Sequence, residues 1–301
     1  MTAQNDTFIA GAGLEIAVRD YGGHGSPILL LHGAGCSLAH WLLMAPSLAK
    51  QHHVVAMDFR GHGQSEAGPW TLDLLMGDIE AVHRHFDFSK LAVVGHSMGG
   101  VLGTFYAARN PGVVAVVNLD GPSLTPSEYV GLKPADVVER RRRHEAEIAE
   151  MPSPPVDIEA QSQIYVNHLG LDITQAGEIV SRAYRKNAAT RHVEGDEKQT
   201  DTGIDWLYRD FLEEHSLFDL IKMEACRTLF FQAGKIPAFT DLDFWKKELF
   251  SAYFAGVDQK LSEIRTSKNI LVEKVDATHA LLLEIPEDLV TRISDFLQEC
   301  E

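Results

Sequence analysis

The chain has 301 residues, 45% hydrophobic and 23% charged, the balance of an ordinary globular protein with one large domain or a core carrying a sizeable insertion. Its formal net charge of −16 repels phosphate backbones and anionic membrane surfaces, which excludes nucleic acid and such membranes as expected partners. No run of about 18 apolar residues predicts a membrane span, the polar start from Met1 to Thr7 does not read as a signal peptide, and three scattered cysteines (Cys36, Cys226, Cys300) predict a reducing, cytoplasmic setting without a disulfide framework.

Phe8-Ile9-Ala10 and Leu14 to Tyr21 read as an opening antiparallel pair, the second run alternating Leu14, Ile16 and Val18 with polar or small residues. Ile28 to Leu31 is unbroken apolar, the pattern of a strand covered on both faces, and ends in His32-Gly33-Ala34-Gly35. A helix is expected from Leu38 to Lys50, a strand from His53 to Asp58, and a Gly-rich loop from Arg60 to Ser65. Thr71 to Phe86 is helical, with Leu72, Leu75, Ile79, Val82 and Phe86 at spacings of three and four.

Leu91 to Val94 is again a buried strand, and Gly95-His96-Ser97-Met98-Gly99 follows it as G-x-S-x-G, before a helix from Met98 to Arg109. A strand turning at once into a helix brings backbones close, and the glycines remove side chains that would collide. The turn lifts the Ser97 hydroxyl clear of the sheet, beside free N–H groups that favour developing negative charge. Val113 to Leu119 is another strand, closing at Asp120-Gly121-Pro122. From Ser123 to about Ala225 no buried strand is evident and the segment is polar and helix-forming, broken by Pro152, Pro154 and Pro155. Alternation then resumes, with strands at Thr228–Gln232 and Ile270–Val275, helices at Asp243–Ile264 and Pro286–Glu301, and His279 in the loop between the last strand and the last helix. This rhythm predicts an α/β fold, a mostly parallel sheet with helices on both faces. The expected core is 1–122 with 226–301, and 123–225 is an inserted helical cap over the sheet's C-terminal edge, where open α/β sheets bind ligands.

Four segments together resemble the α/β-hydrolase superfamily: His32-Gly33-Ala34-Gly35, Asp58-Phe59-Arg60-Gly61-His62-Gly63-Gln64-Ser65, Gly95 to Gly100, and Thr278 to Pro286. They occur in the family's order on both flanks of the insertion; the cap itself resembles nothing we can place. The resemblance implies an eight-stranded sheet and a serine-dependent esterase or lactonase, with Ser97 as nucleophile and His279 as its base. It places the oxyanion hole at the backbone N–H groups of Ala34 and Met98. Among fourteen histidines, His96 is adjacent to Ser97 but neighbours on so tight a turn point apart, and His32 and His62 are expected to brace their own loops.

The acidic partner departs from the family's commonest pattern, since Gly234 is followed by Lys235-Ile236-Pro237-Ala238-Phe239 with no carboxylate before Asp241. Some members place the acid after the strand that follows the nucleophile helix, where Asp120 stands. Asp120 is the expected triad acid, with Asp241 and Asp243 as alternatives. Arg60 to Gly63 reads as a structural loop, because its glycine spacing does not match a phosphate cradle. No histidine set has metal-site spacing, and neither a metal nor a cofactor is expected. Tyr129, Tyr165, Tyr184, Trp206, Tyr208 and Phe211 supply the cap's aromatics, and Trp41 is a candidate to face substrate. The expected partner is a small to medium, mostly apolar molecule with one ester-like carbonyl; a homodimer is compatible with the sequence. Carbon–carbon bond hydrolysis of a diketone-like compound, and a scarcely catalytic ligand receptor, are the alternatives on the same fold.

Overall fold

The computed structural model describes residues 6–150, 156–187, 216–223, 226–236 and 242–300. Among the described residues eight strands form one sheet: β1 (Thr7–Ala10), β2 (Glu15–Gly22), β3 (Pro27–Leu31), β4 (His53–Met57), β5 (Leu91–His96), β6 (Val113–Leu119), β7 (Arg227–Ala233) and β8 (Ile270–Val275). Their spatial order is β1-β2-β4-β3-β5-β6-β7-β8. Only the β1–β2 and β2–β4 pairings are antiparallel; the rest of the sheet is parallel. The unbroken apolar runs are the central strands, because a strand covered on both faces has no polar side. In β3, Ile28 and Leu30 enter one apolar layer while Leu29 and Leu31 enter the other.

One layer is closed by the helices α2 (Leu72–His85) and α3 (Met98–Arg109), and the other by α1 (Ala45–Leu48) and the C-terminal helix Pro286–Gln298. The single helix expected over Leu38–Lys50 is instead a 3-10 turn at Leu38–Trp41 followed by the one-turn α1. Pro46 is the physical reason. Inside one continuous helix it would delete a hydrogen bond and clash with the preceding turn, whereas near the start of α1 its missing N–H costs nothing.

The expected insertion is helical among its described residues, with α4 (Pro134–Glu150), α5 (Ile158–Leu169), α6 (Ile173–Asn187) and α7 (Leu217–Met223). Leu217, Phe218 and Ile221 of α7 are buried in the same apolar layer as Val101, Leu102 and Phe105 of α3, so α7 packs against α3. Leu171, Ala176 and Ile179 of the α5–α6 pair are buried in the opposite layer, with Trp41 and Leu48. The chain ends with α8 (Phe244–Ile264), the short α9 (Leu281–Glu284) and α10 (Pro286–Gln298).

This topology creates the site. From β3 the chain winds outward to β4 on one side, and β5 then lies on the other side of β3. The loops leaving the C-terminal ends of β3 and β5 therefore diverge and leave a crevice between them. Gly33 to Ser37 leaves β3 there, and Ser97 leaves β5.

Candidate active site

Ser97 has φ +52° and ψ −119°, a conformation that non-glycine residues rarely adopt. Strain of this kind costs of order 1–3 kcal/mol and persists only where the surroundings impose it. Here they do. The Ser97 N–H donates to the Leu119 carbonyl at 2.9 Å, while Gly100 N–H and Val101 N–H donate to the Ser97 carbonyl. A Cβ at Gly99 would lie 2.2 Å from the Leu31 carbonyl oxygen, and one at Gly95 would lie 2.2 Å from that of Gly99. The glycine spacing is thus a demand of backbone crowding where α3 is pressed against β3 and β5.

Asp120 repeats the device at the end of β6, with φ +51°. Its N–H donates to the Phe231 carbonyl at 2.8 Å, and its two carboxylate oxygens have separate tasks. Oδ1 accepts the Ala233 N–H at 2.9 Å, and Oδ2 accepts His279 Nδ1–H at 2.7 Å. The second bond places the imidazole proton on Nδ1 and leaves Nε2 with a lone pair. The carboxylate is 13% exposed and the imidazole 56%, so the pair stands at the mouth of the crevice with the base facing out. Among the described residues the Ser97 hydroxyl makes no hydrogen bond to His279; serine–imidazole contacts of this type often tighten only when substrate is bound.

Of the alternative acids, Asp241 lies outside the described residues. Asp243 heads α8, where its carbonyl accepts the N–H groups of Lys246 and Lys247, and its carboxylate is 64% exposed, 4.0 Å from Lys246 Nζ. His279 pairs with Asp120, not with Asp243.

The loop carrying Ala34 is held from three sides. His32 Nδ1–H donates to the Gly33 carbonyl at 2.7 Å, and His32 Nε2 accepts the Phe59 N–H at 3.0 Å. The Gly35 N–H donates to His62 Nε2 at 3.3 Å, and the Leu38 N–H to Asp58 Oδ1 at 2.7 Å. Burial pushes the His32 imidazole well below its ordinary pKa and lowers that of His62, so both remain neutral acceptors. The expected bracing roles of these two histidines match this geometry. Met98 is the first residue of α3, where N–H groups have no intrahelical acceptor. Among the described residues neither Met98 N–H nor Ala34 N–H meets an acceptor, so both are available to a substrate oxygen.

Trp41, the candidate to face substrate, is wholly buried in the apolar layer that includes Leu38, Met44, Leu48 and Leu281. It sits in the 3-10 turn, whose geometry aims it inward. Of the cap aromatics, Tyr165 is half-buried against the same layer, Tyr129 packs beside Tyr253 at 5.6 Å, and Tyr184 is exposed. Trp206, Tyr208 and Phe211 lie outside the described residues. Burial pushes the Cys36 thiol up to about 12, which leaves it protonated and unreactive. A polar cavity of about 530 Å³, lined by Thr125, Glu128, Ser216 and Lys260 among others, includes none of Ser97, Asp120 and His279.

Three side chains around the site gave no functional signal in the sequence. Glu284 accepts both the N–H and the hydroxyl of Thr278, bracing the loop of His279. His96 Nε2–H donates to the His279 carbonyl at 2.8 Å. Arg182 of α6 reaches Asp58 through Nη2 at 2.6 Å and Nε at 3.1 Å, and also binds Asp6. Arg60 is likewise structural, bonded to Asp78 at 2.7 Å and to the Pro69 and Ala12 carbonyls, in keeping with the reading of its loop as scaffold. Among the described residues no group of three His, Cys, Asp or Glu side chains could hold a metal ion.

Residues 26–147 match the family model for the alpha/beta hydrolase fold. A segment of 97 residues is 38% identical to the dihydrolipoyllysine-residue acetyltransferase component of the acetoin cleaving system of Pseudomonas putida, covering 32% of this chain and 26% of that protein. A segment of 94 residues is 35% identical to a soluble epoxide hydrolase of Corynebacterium sp. (strain C12), covering 31% and 33%. The matched segments thus span between a quarter and a third of these relatives. The crystal structure of E-2-(acetamidomethylene)succinate hydrolase superposes with a TM-score of 0.66 at 18% identity, over 98% of this chain and 99% of that one. Proteins with such different names share the scaffold, so function must be argued from the residues in the crevice.

Proposed function

By its fold the chain is an α/β-hydrolase, and from that premise we propose that it is a serine hydrolase that cleaves a carboxylic ester or lactone through an acyl-enzyme. The observation that carries the reading is the 2.7 Å bond from His279 Nδ1 to Asp120, made at the sheet edge where the strained turn presents Ser97. Ser97 attacks the substrate carbonyl while His279 Nε2 takes its proton. Asp120 holds the imidazole in the required tautomer and steadies the imidazolium. The carbonyl oxygen, now negative, is held by the N–H groups of Ala34 and Met98, each worth about 3 kcal/mol of barrier in sites of this kind. The imidazolium returns the proton to the leaving alcohol, and water, activated by the same base, releases the acid.

The serine itself argues against an epoxide-hydrolase or dehalogenase activity, since the members of this fold with those activities resemble one another in using a carboxylate at that position. The substrate we expect is small to medium and mostly apolar. Cys36, Cys226 and Cys300 form no disulfide among the described residues, in line with the reducing, cytoplasmic setting we propose, and no helix among those residues is long and apolar enough to cross a membrane. Turnover of a panel of p-nitrophenyl esters and lactones of graded chain length, with product identification, tests the proposal. We expect release of an acid with an alcohol or phenol, or of a hydroxy acid from a lactone. Release of a ketone or dienol from a diketone-like substrate, with no ester turnover, would overturn it.

A further inference from the structure

His96 is a titratable side chain that touches both the loop of the base and the loop of the oxyanion hole, and the reaction scheme above gives it no part. It closes β5, is 6% exposed, and lies with its ring centroid 4.8 Å from that of His279. Its Nε2 is 2.8 Å from the His279 carbonyl oxygen. A carbonyl can only accept, so the ring proton is on Nε2 and Nδ1 is bare. Nδ1 is buried without a hydrogen-bond partner and faces Gly33, where a Cβ would come within 2.9 Å of it and 3.2 Å of Ser97 Cβ. Burial, reinforced by the neighbouring His279, pushes the imidazole down to about 3, so it stays neutral wherever the enzyme works. This also removes His96 as a rival base. One nitrogen is committed as a donor, and the other is enclosed and too weakly basic to take a serine proton.

Resting on the serine-hydrolase reading, we propose that His96 is a positioning residue: its Nε2–H fixes the backbone from which the base projects, while its ring walls the oxyanion loop at Gly33. The arrangement has a physical logic. Base and oxyanion donors arrive on loops separated by more than 240 residues of chain, Ala34 and His279, yet must meet one carbonyl within a few tenths of an ångström. A flat, rigid side chain projecting from the nucleophile's own strand gives both loops one common reference. A group that flexed, or gained charge during turnover, would serve worse.

The test uses the whole protein with His96→Gln, which keeps a donor near the Nε2 position, and with His96→Leu and His96→Met, which fill the space without one. The readouts are the rate of Ser97 labelling by a fluorophosphonate probe, and kcat and KM on the best p-nitrophenyl ester. We expect His96→Gln to retain kcat within about threefold. We expect the apolar variants to lose about 10- to 100-fold in kcat and in labelling rate, with KM within threefold, as small misplacements of reacting groups do. Equal kcat in all four proteins, or losses confined to KM, would overturn the role of His96 while leaving the serine-hydrolase reading intact. Absence of Ser97 labelling in the unaltered protein would overturn both. Should the apolar variants not fold, nitrogen NMR of the unaltered protein decides. A ring in the Nε2–H form that does not titrate between pH 5 and 9 is expected, and a ring that titrates there or carries its proton on Nδ1 would refute the assignment.

Discussion

Asp120 divides its two oxygens between Ala233 N–H and His279 Nδ1–H, and this division decides what a conservative change would do. In Asp120→Asn the amide oxygen stays on Ala233, so the NH2 group faces the imidazole. The ring must then carry its proton on Nε2, where it can no longer accept from serine. We expect a loss of order 10⁴-fold in kcat with little change in melting temperature. Asp243→Asn, at an exposed helix start, is expected to leave kcat within twofold; steady-state kinetics on the two variants separates the candidate acids. Trp41 gives the opposite contrast. Buried in the apolar layer, Trp41→Ala is expected to cost about 3–5 kcal/mol of stability, read by denaturant unfolding, without altering the order of preference among ester chain lengths. At this scale the sequence was legible where the local backbone is set by neighbours in the chain, as in the strained turn at Ser97 and the crowding at its glycines. It was not legible where the role depends on a partner far away. Nothing around Asp120 distinguishes a turn-capping aspartate from a triad acid until β7 and the His279 loop are placed beside it. The complete burial of Trp41 in the 3-10 turn was likewise not visible in composition.

Among the elements, α6 is joined to the core by buried charge, as α2 is through Asp78 and Arg60. Arg182 enters a pocket where Asp58 is fully buried and Asp6 nearly so, and Arg19 of β2 binds Asp6 at 2.7 Å and Glu178 of α6 at 2.7 Å. Arg182 holds the same carboxylate that accepts the Leu38 N–H, so the cap helix and the end of the oxyanion loop share one anchor. Removing one partner leaves an uncompensated charge in a buried site. Arg182→Met is expected to destabilise the protein by about 3–5 kcal/mol, and the Arg182→Met, Asp58→Asn pair by less than the sum of the single changes. Equilibrium unfolding of the four proteins gives the coupling; strict additivity would show that the contact is incidental. The strands and most helices could be read from apolar runs and periodicity, since burial on two faces or one leaves an unambiguous pattern. The α5–α6 anchor could not, because Arg182 and Asp58 are 124 residues apart and either alone is an ordinary polar position. The packing of α7 against α3 was hidden for a related reason. A short amphipathic helix shows that it has an apolar face, not which surface covers it.

Across the whole molecule, buried neutral histidines set the response to acid. Burial lowers the pKa of His32, His40, His62 and His96, to about 4 for His40 and about 3 for His96. In the unfolded chain a histidine titrates near 6.5, so below that pH the unfolded state binds protons that the folded state refuses. Stability therefore falls as pH drops from about 6.5 towards the folded values, each such group contributing up to about 1.4 kcal/mol per pH unit. The carboxylates held low by their partners, Asp6 and Glu80, act with the same sign but only in a more acid window, below the ordinary carboxylate range. Urea midpoints are expected to drop steadily from pH 7 to pH 5, and His40→Phe is expected to flatten that slope. A midpoint constant over that range would contradict the neutral assignment of these rings.

The central claim is that one serine, strained at the end of β5, is the nucleophile that His279 and Asp120 activate. Mass spectrometry of the intact protein after exposure to a fluorophosphonate, followed by peptide mapping, tests it most directly. The account predicts one equivalent of label on Ser97, none in Ser97→Ala, and labelling slowed at least a hundredfold in His279→Ala. Failure to label, or a label on another serine at the same rate in all three proteins, would contradict it.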